Sequence, residues 1–182
     1  MDKQEMKVRE LKINDFTNNL LDYFKRYQKV TKVWRIEDNK KVIRDISFIE
    51  NWDYNKKQNI ILELKETLLN EGIVFGAFEN DKLIGFASLS GTLIGENNEY
   101  IQLLQLQVSF DFRGRGIGKV LFHNCIKKAR ILCASKIYIS GHSSVETQAF
   151  YAKMGCIDAK WLYKHQVELE PYDCQLEYII NH

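Results

Sequence analysis

The stretch "FDFRGRGIGKVLF", residues 110–122, threads three glycines at alternate positions through two arginines and a lysine. An alternating apolar run, "LQLQVSF", precedes it, and "KVLFHNCIKKARILC", with helical spacing, follows. The turn therefore sits where a strand hands over to a helix. Gly114, Gly116 and Gly118 allow successive backbone N–H groups to point into one concavity, and the N-terminus of the helix starting near Gly116 adds partial positive charge. Arg113, Arg115 and Lys119 place full charges at the rim. Glycines that merely turned the chain would not call for those cations, so the chemistry indicated is phosphate or pyrophosphate binding. Neither common phosphate loop fits. Val120 follows Lys119 where a Walker A loop needs Ser or Thr, and the third glycine comes one residue early for GxGxxG.

Working outward, the period of the apolar residues predicts the remaining elements. "MKVRELKI" (6–13) alternates as a strand does. "NDFTNNLLDYFKRYQKV" (14–30) carries Phe16, Leu20, Leu21, Phe24 and Tyr27 at helical spacing, with Asn14 or Asp15 as cap, and predicts a helix. Residues 31–57 give no clear period. "NIILELKETLLNEG" (59–72) reads as an amphipathic helix closed by Gly72. Two β-rich runs flank "END" (79–81), a hairpin-type turn. "EYIQLLQLQVSF" is a strand, "KIYISGH" a strand, "VETQAFYAKMG" a short helix ending at Gly155, and "CQLEYII" a last strand. This order predicts an α+β (mixed α/β) fold around one sheet with helices on both faces.

The chain of 182 residues, with one proline and no repeat or low-complexity tract, fits a single domain spanning 1–182. Net charge is +2, too balanced to indicate nucleic acid or a membrane surface. No apolar run is long enough to span a bilayer, and the charged start "MDKQEMKVRE" lacks the apolar stretch of a secretion signal. Cys125, Cys133, Cys156 and Cys174 form no CxxC pair or metal-like spacing, which predicts reduced, mostly buried thiols and no metal. The expected compartment is the cytoplasm.

"RGRGIG" resembles the [R/Q]xxGxG/A signature of the GNAT superfamily of acetyl-coenzyme A-dependent N-acetyltransferases, with Arg113, Gly116 and Gly118 at its defined positions. "LQLQVSFDF" is similar to the family's fourth strand, with Leu106 and Val108 in its Leu-x-Val pattern. "AFYAKMGC" is similar to its Tyr-xxx-Gly element, with Tyr151 and Gly155 in place and Cys156 where an aromatic is usual. The Asn that often stands seven residues before the Tyr is Ser144 here. The resemblance covers about residues 73–160 and extends to a bacterial subgroup sharing "ENWD", "HSS-E-TQAFY" and "EPYD-LEY".

The resemblance implies a mostly antiparallel sheet whose fourth and fifth strands splay. It implies acetyl-coenzyme A as acetyl donor, its pantetheine along Leu106, Gln107 and Val108, and its pyrophosphate on Arg113, Gly114, Arg115, Gly116, Ile117, Gly118 and Lys119. Ser144, Phe150 and Tyr151 complete that set, and Tyr151 takes the place of the family's general acid. Transfer would be direct, in a ternary complex, to a primary amine of a small molecule or protein. For the base, His142, Glu99 and Glu146 are candidates: His142 titrates near neutrality when unperturbed, while Glu146 also suits a helix N-terminus. "FIENWDYN" and "VELEPYDCQLEY" are acidic and aromatic, so Trp52, Asp53, Glu170 and Asp173 are candidates for holding a cationic acceptor. A non-catalytic acyl-coenzyme A sensor and a nucleotide-binding module are the alternatives, and exposed sheet edges allow a homodimer.

Overall fold

The structure is a computed structural model and describes residues 6–180. Strands β4 (Ile73–Glu79) and β5 (Lys82–Ile94) are joined by Asn80 and Asp81, whose φ values are 51° and 59°. Two positive φ values in succession make the tight turn that matches strand twist, and Asn and Asp tolerate them. β5 pairs antiparallel with β6 (Tyr100–Val108). Helix α2 (Ile117–Ile131) then crosses over to β7 (Lys136–Gly141), which runs parallel to β6. Antiparallel β9 (Cys174–Ile179) and the short β8 (Ile157–Asp158) extend one side, and β1 (Lys7–Glu10) extends the other. The order is β1-β4-β5-β6-β7-β9-β8, mostly antiparallel as expected.

Alternation sends side chains to two cores. Val74, Leu83 and Phe86 meet Ile60, Ile61 and Leu64 of helix α1 (Tyr54–Leu69), together with Leu11, Phe16, Leu21 and Phe24. Ile73, Phe75, Ala77 and Ala87 meet Leu121, Phe122 and Cys125 of α2, with Tyr151 of helix α3 (Val145–Lys153) in the same cluster. Helices thus cover both faces.

The expected helix over 14–30 is not formed. Asp15 accepts from Lys12 N at 2.7 Å and pairs with Arg9, closing a single 3-10 turn, Ile13–Asp15. Turns then follow through Leu20 N to Thr17 O, Asp22 N to Asn19 O and Phe24 N to Leu21 O. Asn, Asp and Thr compete locally for backbone hydrogen bonds, which favours turns over helix. The apolar side chains Phe16, Leu21 and Phe24 are buried all the same.

The segment without a clear period is a long hairpin, β2 (Tyr27–Glu37) and β3 (Lys40–Asn51), turning at Asp38 and Asn39 with φ of 48° and 58°. It forms its own two-stranded sheet. It docks across the β7–α3 junction, where Trp34 N donates to Ser143 O at 2.8 Å and Arg35 Nη1 to Ser143 Oγ at 2.7 Å. Helix α1 starts five residues before the expected run, because the Asp53 carboxylate caps it by accepting from Lys56 N at 2.7 Å. A short helix α4 (Lys164–Leu169) precedes β9. All four cysteines are free; Cys125 and Cys156 are buried, and Cys133 is exposed in a turn. Among the described residues no group of side chains is arranged to hold a metal, and no helix is long and apolar enough to cross a membrane.

Candidate active site

The site grows from the one parallel pairing. β6 and β7 are in register only from Tyr100 and Lys136 to Leu103 and Ile139. At Leu104 the β5–β6 register slips: Leu103 faces Leu89, yet Gln105 faces Ser88, so Leu104 is an extra residue and bends the strand. β7 continues to Gly141 with β9. The two strands therefore part, and a cleft of about 1030 Å³ opens between them.

Antiparallel pairing fixes which groups the free edge of β6 presents. Ser109 N donates to Ile84 O at 2.8 Å. Ladder bonds alternate, so Gln107 also faces β5, and the N–H and C=O of Leu106 and Val108 point to the side that β7 has left. Val108 O there accepts from Arg113 Nε at 3.2 Å. An extended chain laid in the cleft would find a strand edge ready to pair.

At the end of β6 lies the glycine turn. Gly114 and Gly116 have φ of 78° and 81°, and a Cβ built on either meets nothing within 4 Å. Gly116 is the N-cap of α2, and no side chain caps that helix. Its first N–H groups and positive dipole end therefore face the cleft, which lines up Arg113, Gly114, Gly116, Ile117, Gly118 and Lys119. Gly118 serves a different purpose: a Cβ there would stand 3.2 Å from Phe150 Cε2, so its absence lets α3 pack against α2. Arg115 turns outward to Glu79, at 3.4 Å, and lies over the Phe112 ring.

Tyr151 rises from α3 into the same cleft and is 7% exposed. Its ring packs on Phe122 and Phe150. Its hydroxyl has no hydrogen-bond partner among the described residues, and burial, with Cys156, Cys125 and Asp173 nearby, raises its pKa far above neutrality. The group is a buried, protonated hydroxyl on the cleft.

The opposite wall is acidic. Glu50 and Trp52 come from the base of the hairpin, Glu170, Tyr172 and Asp173 from the turn between α4 and β9, and Ser140 and His142 from the end of β7. Arg26 is almost fully buried, and its Nη2 donates to Glu50 Oε2 at 2.6 Å; its Nε and Nη1 are buried without partners among the described residues. Burial lowers its pKa, and Glu50 opposes that. His142 Nδ1 accepts from Ser144 N at 3.1 Å, and its Nε2 faces Glu50 Oε1 at 3.7 Å. Burial lowers the His142 pKa against the pull of Glu50. The neutral ring thus carries its hydrogen on Nε2 and has no free lone pair. Burial, then the Glu170 carboxyl beside it, pushes Asp173 up to about 7.

Several residues singled out in the sequence lie elsewhere. Leu106, Gln107, Val108, Phe150, Tyr151, Trp52, Glu170 and Asp173 do line the cleft. Asp53 does not; it is occupied as the cap of α1. Glu99 sits at the far end of β6, its carboxylate accepting from Asn97 N and its carbonyl from Ser135 N and Lys136 N. Ser144 is fully buried as the cap of α3, bonded to Thr147 and Gln28. Glu146 is exposed at the rim. Arg26 and Ser140 were not singled out. Arg26 lies in a stretch that reads as a helix face, and Ser140 in a run that reads as a plain strand, so neither carried a signal.

A model of the acetyltransferase (GNAT) family matches residues 39–156. No curated protein sequence is significantly similar to the chain. Among solved structures, a Bacillus anthracis protein provisionally assigned as a streptothricin acetyltransferase, in complex with acetyl coenzyme A, superposes with a TM-score of 0.68 at 19% identity, over 98% of this chain and 99% of its own. A nourseothricin acetyltransferase superposes with 0.69 at 14% identity, over 97% and 99%. The PaiA N-acetyltransferase of Thermoplasma acidophilum, in complex with coenzyme A, gives 0.59 at 18%, over 96% and 99%. At these identities the likeness is one of fold.

Proposed function

This chain belongs to the GNAT family of acetyltransferases, and from that premise we propose that it moves an acetyl group from acetyl-coenzyme A to a primary amine. Transfer is direct, within a ternary complex. One observation carries this reading: the open, uncapped glycine turn at the start of α2, where two left-handed glycines leave room for a phosphate to reach the backbone. Gly114, Gly116, Ile117 and Gly118 would hold the pyrophosphate through N–H groups, with Arg113 and Lys119 at the rim. Leu106 and Val108 would pair with the pantetheine arm. The related structures that hold acetyl coenzyme A or coenzyme A support the same donor.

When bound, acetyl-coenzyme A supplies the acetyl carbon and a sulfur leaving group: the N–C bond forms as the C–S bond breaks, and ammonium plus thioester give amide, thiol and one proton. The chain's own residues do the rest. The Val108 N–H, on the free edge, donates toward the carbonyl oxygen. Tyr151 Oη–H, protonated at any physiological pH, would give its proton to the thiolate as the C–S bond breaks, and the second proton lost by the nitrogen would restore the hydroxyl. Glu50, Glu170 and Asp173 favour a cationic acceptor, and Trp52 and Tyr172 offer ring faces to it. The acceptor is a small amine or a protein amine. We further propose that residues 1–182 act as one cytoplasmic domain with the donor held by about 73–160. Thiol release from acetyl-coenzyme A across polyamines, amino acids, aminoglycosides and N-terminal peptides tests the reaction, with donor binding measured by calorimetry alongside. Absence of acetyl-coenzyme A binding would refute it.

A further inference from the structure

One pair in the cleft has chemistry that the donor site does not use: the carboxyls of Asp173 and Glu170. We infer that Asp173 is the general base, taking a proton from an acceptor that enters as an ammonium ion, with Glu170 beside it to hold the positive charge. The inference rests on the acetyl-transfer reading above and names the proton path within it.

Position comes first. β9 pairs with β7 so that Cys174 faces Gly141, which sets Asp173 just past the end of the ladder, level with the point where β7 has left β6. Ser140 Oγ lies 3.5 Å from Asp173 Oδ2, and Asp173 N donates to Glu170 O at 3.1 Å, closing the turn that brings the two carboxyls together. Asp173 is half-buried on the cleft wall, while Glu170 is exposed and anchored by Gln166 Nε2 at 3.0 Å. Tyr151 lines the same cleft from α3, 7% exposed, with its hydroxyl unpartnered among the described residues. A buried polar atom left open to a cleft marks where a ligand's own group completes the bonding. A base on one side and an acid on the other fit the two ends of an acyl transfer.

Of the other candidates, Glu146 is exposed at the rim, and the rest are engaged or lie outside. His142 has its Nδ1 lone pair bound to Ser144 N–H and its Nε2 hydrogen toward Glu50. Glu50 is committed to Arg26. Glu99 is outside the cleft. The charged and titratable groups facing Asp173 are Glu170 from its own turn, Glu50 from β3 and Tyr151 from α3, with His142 after β7. Two carboxyls in contact cannot both ionise freely, so burial and Glu170 keep Asp173 near half-protonation at neutral pH, where a base is most effective. In the step itself, one N–H bond of the ammonium breaks and its electron pair stays on nitrogen. The proton becomes the O–H of Asp173 and leaves through the open cleft.

The test is carbon NMR of protein labelled at its aspartate carboxyl carbons, in wild type, Asp173→Asn and Glu170→Gln, with spermidine as the amine probe. Wild type should show one carboxyl with a midpoint at about 7 that Asp173→Asn lacks. Glu170→Gln should lower that midpoint, since a like charge is gone, and spermidine should lower it as an opposite charge arrives. With an amine that the thiol-release panel identifies, Asp173→Asn should lose about 100-fold in kcat/KM at pH 7. The loss should shrink as pH approaches the amine's own pKa, because a free amine needs no base. Aspartates that all titrate below pH 5, a midpoint indifferent to spermidine, or a loss that does not vary with pH would overturn the assignment. Acetyl-coenzyme A affinity should be unchanged within twofold in Asp173→Asn. If wild type binds no acetyl-coenzyme A, the transferase reading fails while the titration still stands, so the two fail separately.

Discussion

Replacing Gly116 by alanine separates what the glycine turn does for the chain from what it does for a ligand. Gly116 holds φ of 81° and ψ of 3° as the N-cap of α2. An L-residue is strained there by about 1–2 kcal/mol. The added methyl meets nothing within 4 Å, so no clash adds to that strain. A loss near 1 kcal/mol lowers Tm by about 2–4 °C in a domain of this size. Binding should suffer more. The methyl stands in the open space through which a phosphate oxygen would reach the N–H groups of α2. Losing one charge-assisted hydrogen bond removes about 1.5–3 kcal/mol, which weakens acetyl-coenzyme A by roughly 10- to 100-fold. Gly118→Ala is the control: its methyl faces Phe150 Cε2 at 3.2 Å, so it perturbs packing first. Calorimetric titration with acetyl-coenzyme A and thermal unfolding of both variants give the two quantities. The reasoning is refuted if Gly116→Ala loses no more affinity than stability, or if Gly118→Ala weakens binding more than Gly116→Ala does.

Three further outcomes follow from the same geometry. Tyr151→Phe removes a hydroxyl with no partner among the described residues, so Tm and acetyl-coenzyme A affinity should hold while turnover falls about 100-fold, read by thiol release and calorimetry. Glu50→Gln removes the carboxylate paired with the buried Arg26 cation and should lower stability by about 2 kcal/mol, below the roughly 3–5 of a fully buried pair because Glu50 is partly open to solvent, as measured by denaturant unfolding. Asp15, held down to about 2 chiefly by the Arg9 hydrogen bond, contributes stability that is complete above its unfolded pKa near 4 and is lost as pH falls toward 2. Asp15→Asn should therefore unfold at lower temperature at pH 6 yet approach wild type near pH 2, and a constant gap in Tm across that range would contradict this.

Where local chemistry was decisive, the sequence was readable. Alternation marked β1, β-rich runs marked β4, β5, β6, β7 and β9, and the Asn80–Asp81 turn needs only residues that tolerate positive φ. The glycine turn was legible because its glycines, cations and helix start are neighbours in sequence. The β2–β3 hairpin was not legible, although Asp38–Asn39 is the same kind of turn. Its strands bury little: Val30 and Val33 are covered while Ile36, Ile43 and Ile49 stay exposed, so no clean period of two appears. The 14–30 segment misled for the converse reason. Its apolar residues are buried at helical spacing, but turns present them to the core as well as a helix would.

The sequence by itself determined the fold class and the glycine turn, because both rest on period, φ preference and charge within a dozen residues. Only the tertiary structure decided which side chains serve the cleft. Asp53 and Ser144 became caps because helices start at them, Arg115 turned to Glu79, and Glu99 was left at the far end of β6. His142 lost its free lone pair to the backbone of Ser144, and Asp173 gained its poised carboxyl from Glu170 and burial. A proton affinity depends on what lies within a few ångströms, and those neighbours come from β3, β7, α3 and the turn before β9, segments that meet only when the sheet forks.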